Sequence, residues 1–73
     1  DDAATFSVSR DVLMEYGEEK AEQRGVKASR ETQLSWAMSR LQRDDWELVQ
    51  ATDDRYVFKG YGTLPKRLTE KYG

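Results

Sequence analysis

At 73 residues the chain has room for one small core, and a make-up of 37% hydrophobic against 36% charged residues leaves about a dozen side chains to fill it. It contains neither histidine nor cysteine. That removes disulfide stapling, thiol chemistry, the usual zinc ligands and the usual general base together, and with them most classes of enzyme. The net charge of −2 conceals a segregation: residues 1–54 carry seven basic and thirteen acidic side chains, a balance of −6, whereas residues 55–73 carry five basic side chains against Glu70, a balance of +4.

The amino end, Asp1-Asp2-Ala3-Ala4-Thr5, has none of the basic and apolar character of a signal peptide, and no apolar run approaches the roughly 20 residues that span a bilayer. The sequence is therefore read as one soluble domain, residues 1–73, with cytoplasm as the default location and no membrane partner. Phe6, Val8, Val12, Met14 and Tyr16 fall on alternate positions, interrupted by Arg10. This period predicts a strand over residues 5–10 and leaves 11–16 between two readings. In the competing one, Ser9 is an N-cap, Arg10 to Arg24 form a helix, and Gly25 lies beyond its end.

Gly17 to Ala28 is rich in charge, with Val26 its one large aliphatic residue. Having little to offset its ordering entropy, the stretch over residues 17–28 is expected to be a mobile charged loop or a short exposed helix. Ser29 then has the character of an N-cap, Glu31 suits the first turn of a helix, and Leu34, Ala37, Met38 and Leu41 follow the i, i+3, i+4, i+7 spacing of a core-facing stripe. Trp36 lies off that stripe. After Arg43-Asp44-Asp45, Trp46, Leu48 and Gln50 alternate with Glu47, Val49 and Ala51; Thr52-Asp53-Asp54 is turn chemistry; Tyr56 and Phe58 alternate with Val57 and Lys59. A helix followed directly by a β-hairpin is the unit most firmly specified, with Trp46, Leu48, Tyr56 and Phe58 as its expected core. Gly60-Tyr61-Gly62 ends the sheet, and Pro65 suits the first position of a short helix over 66–72. The core is thus expected to span about residues 5–60, followed by a tail over 61–73.

The helix, then Asp45-Trp46-Glu47-Leu48-Val49, then Tyr56-Val57-Phe58-Lys59, resembles a family of small bacterial and phage domains of unknown function whose signature is Gly-Trp-Glu-Leu-Val followed by Tyr-Ile-Phe-Lys-Arg. The resemblance covers residues 33–59. It implies an α+β fold of β-α-β-β order, three antiparallel strands covered on one face by one main helix, and it brings no known activity. The chain departs from the pattern at Asp45, where glycine is usual, in its longer charged loop and in its basic tail.

Three constellations carry candidate chemistry. Lys59-Gly60-Tyr61-Gly62 reproduces the opening of a ribonucleoprotein motif, but Pro65 and Lys66 occupy positions where that motif needs a strand residue and an aromatic. The acidic sets Asp44-Asp45-Glu47 and Asp53-Asp54 lack the spacing of a calcium loop, so turn formation and solubility explain them; no metal and no cofactor is expected. Trp36, beside Arg40 and Gln33 and off the core stripe, either wraps over the sheet edge or pins the early loop, or else serves as an interface anchor. The sequence therefore reads as a non-enzymatic protein-interaction module, a regulator or accessory subunit of a larger complex. Its predicted contacts are Trp36 and Arg40 on the helix and Tyr61, Lys66, Arg67, Lys71 and Tyr72 on the tail. The alternative is a single-stranded nucleic-acid binder using Lys59, Tyr61, Lys66, Arg67 and Tyr72. A small sheet with an exposed strand also leaves pairing with a second copy open.

Overall fold

A computed structural model describes residues 2–66 and Leu68. Strand β1, Ala4–Ser9, buries Phe6 and Val8 and exposes Thr5 and Ser7, as the alternation requires. The strand ends where the next helix starts: Ser9 has extended backbone, and its hydroxyl accepts from the Val12 amide at 3.3 Å. Arg10 donates its amide to the Asp54 carbonyl at 2.8 Å, tying this corner to the hairpin turn.

Helix α1 then runs from Arg10 to Gln23, so the competing reading with the Ser9 cap is the one that forms. The predicted charged loop over 17–28 is corrected accordingly, since Gly17–Gln23 are the second half of α1. The sequence stripe looked patchy because small residues complete it. Gly17 and Ala21 are buried with Leu13, Met14 and Tyr16, and a Cβ on Gly17 would run into the Gln33 carbonyl and lie 3.0 Å from the Ala37 amide nitrogen. Close helix contact, rather than large apolar side chains, offsets the entropy of ordering this segment. The helix closes with Gly25 at φ 75°, the Gly25 amide bonding Glu22 and the Val26 amide bonding Ala21, both at 2.9 Å. These are the paired bonds of a Schellman motif, and the left-handed conformation is one that glycine adopts at no steric cost.

Helix α2, Arg30–Arg43, has the predicted stripe: Ala37 and Leu41 are buried, and Leu34 and Met38 pack partly buried against the core. Asp44 caps it and Asp45 adopts φ 69°. The turn into strand β2, Trp46–Ala51, thus passes through the left-handed region at the position where the resembled family has glycine. Strand β3, Arg55–Gly60, returns along the middle of the sheet, in the order β1-β3-β2. Both neighbours are antiparallel to β3, with Phe6 and Leu48 each opposite Phe58. The observed element order is β-α-α-β-β, so the expected single covering helix is replaced by two of equal length.

The core joins Phe6, Val8, Leu13, Tyr16, Ala37, Leu41, Trp46 and Phe58 between the helices and one face of the sheet. Phe6 stacks on Phe58 at 5.2 Å and meets Trp46 edge-on at 4.8 Å, offset and T-shaped arrangements that suit the ring quadrupoles. Leu48 is corrected from the predicted core: it is 40% exposed. It shares the inward face with Phe58 but lies on an edge strand, and the pairing slips between Leu48 and Gln50, leaving Val49 without a partner on β3 and 50% exposed. The core also extends beyond residue 60. Leu68, its amide bonded to the Pro65 carbonyl at 3.0 Å, is 1% exposed and belongs to the same cluster.

Candidate functional site

Lys20 and Arg24 are four residues apart near the end of α1, and Trp36, Arg40 and Arg43 recur at four and seven residues on α2, so each helix presents one cationic edge. The helices are aligned start to start: Asp11 and Met14 line a groove with Arg30 and Gln33, whereas Lys20 and Arg24 line another with Trp36, Ser39, Arg40 and Arg43. Basic residues in a last turn complement the helix dipole. Bringing two such ends together creates a cationic groove of about 190 Å³ with half-buried Trp36 in its wall.

Within this groove Arg40 Nε approaches Asp44 Oδ2 at 3.3 Å, an i,i+4 pair with both side chains well exposed and therefore of little energetic weight. Lys20, Arg24 and Arg43 have no carboxylate partner among the described residues. Lys20 Nζ instead stands 5.1 Å from the centre of the Tyr16 ring. Burial pushes the Tyr16 phenol above its ordinary pKa, nearby Asp44 adds to the shift, and Arg40 opposes it. The opposite flank of α1 is acidic, with Glu15, Glu18, Glu19 and Glu22 lining a groove that also includes Val12 and Leu68.

The structure therefore brings the predicted contacts Trp36 and Arg40 together with three cations that sequence reasoning missed: Lys20, Arg24 and Arg43. The signal for Lys20 and Arg24 was their i, i+4 spacing, which has meaning only if residues 17–24 are helical, whereas Arg43 stood three residues beyond Arg40 on the helix already expected. Gln33 lies apart from them, its amide donating to Glu18 Oε2 at 3.2 Å and lining the groove with Asp11 and Arg30. Tyr61 is 72% exposed and Lys66 is exposed, whereas Arg67, Lys71 and Tyr72 lie outside the described residues. The tail is not wholly separate from the body, because Leu68 anchors it in the core.

The glycines of Lys59-Gly60-Tyr61-Gly62 have a packing role. A Cβ on Gly60 would collide with the Asp45 carbonyl and one on Gly62 with the Asp44 carbonyl, so both admit close passage of the corner between α2 and β2. The aromatics of β3, Tyr56 and Phe58, pack against the core, and its solvent face presents Arg55, Val57 and Lys59. A base-stacking platform of the ribonucleoprotein type needs aromatics on that outer face. In the hairpin turn the Thr52 hydroxyl bonds Asp54 Oδ1 and the Arg55 carbonyl, each at 3.3 Å, which gives Asp54 a turn-forming role. No protein-family model, curated protein or solved structure matches the chain.

Proposed function

We propose that this chain is a small non-enzymatic protein-interaction module, a regulator or accessory subunit of a larger complex, of the bacterial or phage kind its helix-hairpin signature resembles. It engages its partner through the α2 face around Trp36 and Arg40, with Tyr61, Lys66, Arg67, Lys71 and Tyr72 as a second contact. Cytoplasm is the location that fits a chain without cysteine. Among the described residues, no helix is long and apolar enough to cross a membrane.

One observation carries this reading: Trp36 is left half-buried in a groove walled by long cationic side chains, a pairing of residue types typical of binding hot spots. The test is affinity capture from extract of the source cell, comparing the wild-type chain with Trp36→Ala/Arg40→Ala. Equal folding of the two is checked by circular dichroism. A defined partner retained by the wild type and lost from the variant is the expected result. An identical set of captured proteins would overturn the reading, as would salt-sensitive binding of single-stranded oligonucleotides in place of any protein.

A further inference from the structure

We infer that the groove between the ends of α1 and α2 receives an acidic protein segment, one that sets carboxylates against Lys20, Arg24 and Arg43 and an apolar side chain against Trp36. This rests on the proposed interaction function and specifies the chemistry of its partner.

A chain of net charge −2 places four of its cations around one small groove, and three of them have no carboxylate partner among the described residues. The dipoles of α1 and α2 account for a basic residue at each helix end, but their combined negative poles amount to roughly one charge, less than the four cations supply. Among the described residues the carboxylate of Asp44 pairs with Arg40. The surplus is local attraction for an anion, and Trp36 beside it is a rigid apolar anchor whose burial adds affinity that charge alone would not.

The kind of anion follows from the surroundings. Residues 1–54 carry a balance of −6, and α1 presents Glu15, Glu18, Glu19 and Glu22 on its other flank, so a long polyanion tracking across the body meets repulsion. A short segment with two or three carboxylates reaches the cations without crossing that flank. Arginine binds carboxylates through a bidentate fork, and among the described residues the exposed side chains of Arg24 and Arg43 form no ion pair that would compete.

The test uses the full chain and follows fluorescence. Trp46 is 3% exposed whereas Trp36 is half-buried in the groove wall, so Trp36 is the tryptophan that responds to an occupant. The probes are a short peptide alternating glutamate and leucine, the same peptide with glutamine for glutamate, and a single-stranded oligothymidylate. The expected result is binding of the acidic peptide with protection of Trp36 from quenching. This binding weakens about tenfold in Arg24→Gln/Arg43→Gln and falls as salt is raised. The inference is overturned if the acidic peptide does not bind at low salt, if the glutamine peptide binds as well, or if the oligothymidylate binds more tightly than the acidic peptide. A partner captured through Trp36 that Arg24→Gln/Arg43→Gln binds undiminished would overturn the acidic chemistry while leaving the interaction function standing.

Discussion

Replacing Leu68 by alanine tests whether the chain beyond residue 60 is part of the folded core. Leu68 is 1% exposed and touches a cluster built by both helices and all three strands. Truncation removes three carbons' worth of apolar burial, at about 0.8 kcal/mol each, and leaves a cavity that the surrounding rings and helices fill only in part. Together these give a loss of about 2–4 kcal/mol. A chain of this length has a total stability of roughly 4–11 kcal/mol, so the substitution should consume a large share of it. The assay is urea unfolding followed by tryptophan fluorescence, where the midpoint should fall with little change in slope. Thermal unfolding should shift down by about 10–25 °C. Leu64→Ala is the internal control: it is the same chemistry in the same segment, but Leu64 is 44% exposed, and the loss should stay below about 1 kcal/mol. A Leu68→Ala protein no less stable than Leu64→Ala would refute the anchoring of the tail. The same anchoring means that deleting residues 61–73 would confound loss of a partner with loss of the fold.

Gly17→Ala should destabilise by about 1–3 kcal/mol in the same urea assay, although alanine gains about 1 kcal/mol over glycine in an unconstrained helix; a stabilised variant would show that α2 does not approach as closely as the Gln33 carbonyl implies. Asp45→Gly should stabilise by roughly 0.5–1 kcal/mol, because the φ of 69° costs an L-residue more than the flexibility glycine adds to the unfolded chain, and a lowered midpoint would contradict this. The raised pKa of Tyr16 means that the folded state holds the phenolic proton more tightly than the unfolded state does. That contribution is complete below pH 10 and is lost as pH climbs through the raised value. Tyr16→Phe should therefore show a shallower alkaline decline in thermal stability than the wild type, and parallel curves for the two would count against burial as the cause.

Local chemistry alone was enough for several elements. The stripe Leu34-Ala37-Met38-Leu41, the alternation through Trp46 and Phe58, and the turn at Thr52-Asp53-Asp54 each contain the whole signal for the element they form. Ser9 and Gly25 likewise marked the two ends of α1, yet nothing between them showed that the helix would be worth forming. Gly17 and Ala21 contribute by letting another helix approach, a quantity that exists only once α2 is in place. The same dependence hid part of the candidate site. Trp36 and Arg40 were legible as a pair off the core stripe, with Arg43 one turn further along the same helix, but Lys20 and Arg24 became their neighbours only when the two helices were laid side by side, start beside start.

Periodicity states which side of a strand is apolar, and it does not state which strand will be at the edge. The order β1-β3-β2 encloses Phe58 between two neighbours, and the cover over each edge differs: Phe6 on β1 is 8% exposed, whereas Leu48 on β2 stays 40% exposed. Leu68 shows the converse: an isolated leucine in a basic segment, with no period around it, became core because the fold left an apolar space near Val12 and Tyr16. Caps, turns and stripes act over a few residues, so α2, the hairpin and the two ends of α1 were legible without the fold. What is enclosed and what the surface groups face emerged with packing, because burial and charge clustering depend on elements far apart in the chain.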